Sequence, residues 1–376
     1  MPTTAESPQL NILHVLTLNG RNGEYGGPVR VARELCQELN SRGHKTHIFS
    51  GALLGSEPSP QLGLSESYVL VKPLFRKLAV SSLWSRKLIL TLRSEIIKAD
   101  IVHIHFARDL LPYLAAFLSV IYRKPFVTQT HGMVIPKDTS MTIAIDSILT
   151  KPLLNKSKTN FVLTNLELSS VNRLGLKVRN EILPNGIANI SIKKNPSSSN
   201  RRIVFCSRLD KRKGIDKFID LADAFKNSGL RFEIYGPNGG ELDFVRNEIN
   251  RRGLSKTTEY MGSLFSDDVI KMLVNIDLLV LPSKEEPFPM VILEAISVGT
   301  PVLVMPSCGI ATTLATFDPS FVGKSEDFKG LKEAFDLIFR RGFRFDRAKL
   351  IAFTEQHFGI KAVTEKLMEF YYASIN

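Results

Sequence analysis

The chain alternates short apolar runs with helix-periodic stretches, breaks once at a polar tract, and then starts the same alternation again. Strand-like runs lie at 12–18, 46–50, 101–105, 126–130, 161–164 and 181–183. Val31, Leu35 and Leu39 share a helical face after the first of them, and the apolar run at 110–122 reads as a helix covering a sheet. Strands separated by helical patterns mean a parallel sheet with helices packed on it. The tract at 193–200, KKNPSSSN, reads as an interdomain linker. Beyond it, strand-like runs return at 203–207, 232–235, 259–261, 278–281 and 302–305, with helical patterns at 215–226 and 267–274. A length of 376 residues suits two domains. The expectation is α/β: two Rossmann-like, doubly wound domains at 1–190 and 191–354, facing across a cleft. The closing segment, 355–376, reads as helix.

Within the second half, Glu286 and Glu294 stand with seven residues between them in EEPFPMVILEAISVGTPVLV. Pro289 is placed to open a short helix and Gly299 to close it. Glu286 then falls in a loop beyond the carboxyl end of a parallel strand, where open sheets bind ligands. Glu294 falls on the helix among Val291, Ile292, Leu293, Ala295 and Ile296, where a carboxylate is costly unless something hydrogen-bonds to it. Two acids so placed suit the hydroxyls of a sugar and a ribose. Arg208 and Lys213 follow the first strand of this half, next to a helix start, a suitable cradle for a diphosphate. On charge alone that loop reads as solvated, since Lys211 and Arg212 belong to it. Gly26, Gly27 and Pro28 lie between the first strand and first helix, where exposed N–H groups suit phosphate; a plain turn fits equally. His131 ends the strand-like run at 126–130, and an imidazole there can bond a sugar hydroxyl or a phosphate oxygen. His103 and His105 point to one face of a strand. No carboxylate cluster accompanies them, so they read as structural or acceptor-lining. Asn185-Gly186 and Gly236-Pro237 are turn signals.

Taken together, Glu286, Glu294, Ala295, Gly299 and Pro301-Val302 resemble the signature of retaining nucleotide-sugar glycosyltransferases of family 4, with the GT-B fold. The resemblance spans nearly the whole chain and is loosest at 53–98. It implies that Arg208 and Lys213 bind the donor diphosphate, Glu286 the donor-sugar hydroxyls and Glu294 the ribose. Pro287, Phe288, Pro289, Met290 and Val291 would line the donor site between those two acids. It places the Gly26-Gly27 loop on the donor's phosphate side and His131 in the donor-sugar pocket. Asn185 becomes a hinge residue contacting the donor, and Gly236 passes near the nucleotide. The last segment would cross back to pack on the first domain. One departure is visible: after the run at 302–305 the chain reads PSCGI, with Gly309 alone where family members often carry paired glycines.

The resemblance implies a retaining, metal-independent hexosyl transfer with no cofactor, from a UDP- or GDP-sugar to a carbohydrate or lipid-linked acceptor. Surface polysaccharide, lipopolysaccharide or glycolipid assembly is the expected setting. An epimerase or phosphorylase of similar architecture, or a non-enzymatic basic binding protein, is the alternative. Basic residues without interleaved aromatics argue against a nucleic-acid partner. The net charge is +12, and residues 1–190 carry 22 basic against 13 acidic side chains. That bias favours an anionic partner for the first half. The segment 72–98 mixes Lys72, Arg76, Lys77, Arg86, Lys87, Arg93 and Lys98 with Trp84, Leu and Ile, and reads as an amphipathic helix for an anionic membrane surface; an ordinary amphipathic helix on the first domain fits equally. Three cysteines without metal-like spacing and a polar start, MPTTAESPQL, point to a reduced, cytoplasmic setting, peripheral on the inner face of the membrane.

Overall fold

The computed structural model describes residues 8–21, 27–59, 61–74, 81–136, 139–188, 190, 201–264 and 266–375. The expected linker at 193–200 and Gly26 lie outside these. Contacts divide the chain into two compact units, Met1–Gly186 with Ile360–Asn376, and Ile187–Gly359.

The first unit holds strands β1 (Asn11–Leu18), β2 (Lys45–Ala52), β3 (Glu66–Leu70), β4 (Lys72–Pro73), β5 (Leu83–Trp84), β6 (Ile101–His105), β7 (Phe126–Gln129), β8 (Asn160–Val162) and β9 (Asn180–Ile182). Seven form one sheet in the order β3-β2-β1-β6-β7-β8-β9. Every pairing in it is parallel. This is the doubly wound order, which reverses direction between β1 and β6. Helix Gly27–Ser41 buries Val31, Leu35 and Leu39 along one stripe. On the other side, helix Leu110–Ile121 covers the core of Val15, Phe49, Val102 and Ile104. The last helix, Ile360–Ile375, belongs to this unit and sends Tyr371, fully buried, to within 2.6 Å of His103 Nδ1.

Residues 72–98 are not one helix. Lys72–Pro73 and Leu83–Trp84 pair as a short antiparallel ribbon, and only Arg86–Lys98 is helical. Arg76 and Lys77 lie outside the described residues. The basic and apolar mixture hides the break because Lys, Leu and Arg suit a helix wherever packing does not decide.

The second unit holds β10 (Arg202–Cys206), β11 (Arg231–Tyr235), β12 (Thr258–Gly262), β13 (Leu278–Leu281) and β14 (Val302–Val304), ordered β12-β11-β10-β13-β14. All its pairings are parallel, with the reversal between β10 and β13. Phe205, Phe218, Phe232 and Phe335, all fully buried, pack in a chain of one tilted, one edge and one stacked contact across its core. No helix among the described residues is long and apolar enough to cross a membrane.

Candidate active site

Two adjoining loops build the site of the second unit, one after β10 and one after β13. After β10 the chain runs through Ser207, Arg208 and Leu209 to Asp210. Its carboxylate accepts the Arg212 N–H at 2.9 Å and caps a single turn, Lys211–Lys213. Gly214 then takes φ +73° and leads into helix Ile215–Ala224. A side chain at Gly214 would stand 2.1 Å from the Pro282 carbonyl oxygen, so only glycine lets this loop approach the loop after β13 so closely. That approach delivers Lys213 to Glu286. The Lys213 ammonium donates a very short hydrogen bond to the Glu286 carboxylate, and the two side chains are 21% and 14% exposed. The Lys284 N–H donates to the Arg212 carbonyl at 2.9 Å, stitching the loops together. On the far side, the Gly309 N–H donates to the Glu286 carbonyl at 2.8 Å.

Arg208 is exposed and makes no ion pair among the described residues. Gly236, at the end of β11, has φ +143° and lies against the Ser207 carbonyl, where an added Cβ would fall 1.8 Å away. Pro289 caps helix Met290–Ser297, which carries the buried Glu294. Phe288 turns inward, its ring 5.9 Å from Phe358, so Phe288 and Pro289 offer their main chain rather than their buried side chains. Pro287, Met290 and Val291 are partly exposed. Burial raises the Cys206 thiol to about 12, with the Glu294 charge adding to it. Burial likewise raises Cys308 to about 12, beside Glu286 and Lys213. Neither thiol is available as a thiolate nucleophile near neutral pH. Arg208, Lys213, Gly236, Glu286 to Val291 and Glu294 thus gather beyond the carboxyl ends of β10, β11 and β13.

In the first unit, Gly27 opens the first helix and Asn185 is buried after β9. His131 follows β7 in a left-handed turn, φ +48°, a conformation that a non-glycine residue holds only when its surroundings enforce it. The enforcement comes from Glu167, which sequence reading missed. This carboxylate, 4% exposed, accepts from Thr130 Oγ1 and the Gly132 N–H at 2.6 Å each and from the Leu163 N–H at 2.7 Å. Burial raises its pKa against the pull of those three bonds. Thr164 caps the Glu167 N–H, so the local signal was a Thr-x-x-Glu capping box. Arg108 adds a second brace. It binds both Asp146 oxygens at 2.7 and 2.8 Å and reaches the Met133 and Ile135 carbonyls at 3.2 and 2.9 Å. Sequence reading also missed His14, which joins His105 and His131 in a buried imidazole chain.

Two open cavities, of about 620 and 540 Å³, lie near the opposite, amino-terminal ends of the strands, beside Arg201 and Leu230 and beside Asn11 and Thr46. Ligand sites of doubly wound sheets form at the carboxyl ends. We therefore place the site at the loops after β10 and β13.

Comparison with known proteins agrees with this architecture. The family model for Glycosyl transferases group 1 matches residues 187–355, and that for Glycosyltransferase Family 4 matches 25–188. A Campylobacter jejuni N,N'-diacetylbacillosaminyl-diphospho-undecaprenol alpha-1,3-N-acetylgalactosaminyltransferase is 24% identical over 189 residues, 49% of this chain and 46% of that protein. A Mycobacterium tuberculosis glycogen synthase is 25% identical over 141 residues, 37% and 34% of the two chains. The chain thus spans less than half the length of these curated relatives. Among solved structures, Anabaena HepE in complex with UDP and glucose superimposes with TM-score 0.76 at 17% identity, covering 97% of this chain and all of that one. The sucrose-phosphate synthase of Thermosynechococcus elongatus gives 0.74 at 16%, covering 97% and 99%. With two parallel, doubly wound units and both family models matched in succession, the chain belongs to the group 1, family 4 glycosyltransferases of the GT-B fold.

Proposed function

We propose that the protein moves a sugar from a UDP- or GDP-linked donor to an acceptor hydroxyl, with retention at the anomeric carbon and without a metal ion. The observation that carries this reading is the Lys213–Glu286 pair at the carboxyl ends of β10 and β13, with exposed Arg208 on the same loop as Lys213 and buried Glu294 on the helix that follows Glu286. Lys213 and Arg208 are cations placed for the diphosphate. A phosphate oxygen competes with Glu286 for the Lys213 ammonium, which frees the carboxylate for sugar hydroxyls. Glu294 takes the ribose.

The acceptor oxygen attacks the anomeric carbon from the face the leaving group departs. The carbon–oxygen bond to the diphosphate breaks, and the acceptor proton passes to the leaving phosphate oxygen. Charge grows on the diphosphate as that bond breaks, so a fixed cation there lowers the barrier. Losing one such group costs roughly 3–4 kcal/mol. Arg208→Ala is therefore expected to cut turnover at least about a hundredfold with the protein still folded. Near-normal turnover would remove Arg208 from the site. Screening UDP- and GDP-sugars for thermal stabilisation identifies the donor.

HepE holds UDP and glucose in its crystal structure, and the Campylobacter relative is named for transfer to a sugar on diphospho-undecaprenol. These likenesses support a carbohydrate or lipid-linked acceptor, in surface polysaccharide, lipopolysaccharide or glycolipid assembly. A cytoplasmic protein resting on the inner face of an anionic membrane is part of the same proposal, and its support is the exposed Leu90 and Ile97 beside Arg86, Lys87, Arg93 and Lys98 on helix Arg86–Lys98.

A further inference from the structure

Three imidazoles of the first unit form one hydrogen-bonded wire that ends at His131. His14 Nδ1 lies 3.1 Å from His105 Nε2, and His105 Nδ1 lies 2.7 Å from His131 Nε2. The arrangement follows from register. β1 and β6 pair His14 with His103, and His105, two residues on, shares that face. His103 stacks on His14 and His105, with centroids 4.8 and 4.7 Å apart, and is itself held by Tyr371. His14 and His103 are fully buried, His105 is 1% exposed and His131 9%. Burial lowers His14 and His131 to about 3 and His103 and His105 well below their ordinary value, so all four are neutral at pH 7.

A neutral imidazole has one N–H and one bare nitrogen. His105 is bonded at both, so it donates one way and accepts the other. The wire is therefore directional. Its three protons point either toward His131 or toward His14. At the inner end, His14 Nε2 is buried with no hydrogen-bond partner among the described residues. A proton there would be an orphaned donor, which folded proteins avoid more strictly than an orphaned acceptor.

We propose that His14 and His105 are positioning residues that fix His131 as its Nδ1–H tautomer, leaving the ring nitrogen outside the wire as a hydrogen-bond donor for an acceptor oxygen of the sugar-diphosphate substrate. The ligand in this statement rests on the function proposed above; the tautomer does not. A donor at that position favours a phosphate or carbonyl oxygen, which cannot donate, and fixes the sense of any bond to a sugar hydroxyl.

The test is long-range 1H–15N correlation on the full chain with labelled histidine, the seven histidines being few enough to resolve. His131 is assigned from the signal lost in His131→Asn. The expected result is a protonated Nδ1 and a bare Nε2 at His131; a protonated Nε2 overturns the proposal. Two substitutions then separate positioning from packing. In His105→Asn the amide nitrogen stands where the imidazole Nδ1 stood and still donates to His131. In His105→Leu nothing does. The Asn variant should keep the His131 tautomer and stay within about twofold of wild-type kcat/KM for the sugar nucleotide. The Leu variant should show mixed tautomers and lose about tenfold, the size of one hydrogen bond. A Leu variant with the wild-type tautomer overturns the positioning role. Should it fail to fold, the wild-type and Asn spectra decide. If the spectra are as expected but His131→Asn turns over like wild type, the wire stands and His131 leaves the donor site.

Discussion

Glu167 carries no chemistry of its own, yet it fixes the turn on which His131 sits. Its two oxygens take three donors, from Thr130, Gly132 and Leu163, all in a buried setting. Glu167→Gln would turn an amide NH2 toward at least one of those donors, leaving a buried N–H or O–H unpaired. The expected cost is about 1–3 kcal/mol, read as a lower urea midpoint with unchanged slope. A midpoint equal to wild type would mean the turn is held by other contacts. The residue also marks how far sequence reaches. Thr164 and Glu167 are legible as a capping box because both partners lie within one helical turn. The long-range targets of the same carboxylate, 35 and 37 residues earlier, are not. His14 is hidden for the same reason, since its bond to His105 requires knowing that β1 and β6 are neighbours. Glu286 and Glu294 were legible because strand, loop, proline and helix follow in unbroken sequence order.

Elements with a two-sided burial demand were the readable ones. β6 runs IVHIH with all five residues buried, and β13 runs LLVL likewise, so their apolar character survives in composition alone. β3 was missed because ESYVL is an edge strand with Tyr68 and Leu70 exposed. The closing helix was expected to begin near residue 355; instead helix Arg347–Phe358 stops at Gly359 and a new one runs Ile360–Ile375. Helix Arg86–Lys98 decides the membrane reading. It buries Leu88, Leu92 and Ile96, which uses up its inner face. Its outer face still presents Ile89, Leu90 and Ile97 beside Arg86, Lys87, Arg93 and Lys98. Apolar residues flanked by cations suit an anionic headgroup layer, each cation adding about 1 kcal/mol. The protein is expected to float with phosphatidylglycerol-containing vesicles and not with neutral ones, and Leu90→Asp should weaken flotation. If the wild-type protein stays at the bottom of the gradient with both, the membrane reading fails.

Histidine is distributed unevenly between the units, and that makes the molecule's acid response predictable. Six of the seven histidines, all but His357, belong to the first unit, and four of them are buried and neutral. In the unfolded chain each takes a proton near 6.5, whereas in the folded chain His14 and His131 do not until about 3. Between those values the unfolded state binds more protons, so stability falls as pH falls through the window. Each such imidazole contributes about 1.4 kcal/mol per pH unit below 6.5. Four together remove on the order of 5 kcal/mol by pH 5.5, comparable to the whole stability of many domains. The buried Glu167 and half-buried Asp109 carboxyls, raised by desolvation, act in the opposite sense, but nearer their own titration range. The single tryptophan, Trp84, packs against the core of the first unit and reports on it alone. Lowering pH from 7.5 to 5.5 should therefore shift the urea midpoint of Trp84 fluorescence well below its neutral value. The part of the far-ultraviolet dichroism that belongs to the second unit, with only the exposed His357, should move far less. No shift in the fluorescence midpoint would show that the buried imidazoles are already protonated in the folded protein, and a charged His105 could not then pass one proton along a directional wire; equal shifts in both signals would show that the two units unfold together.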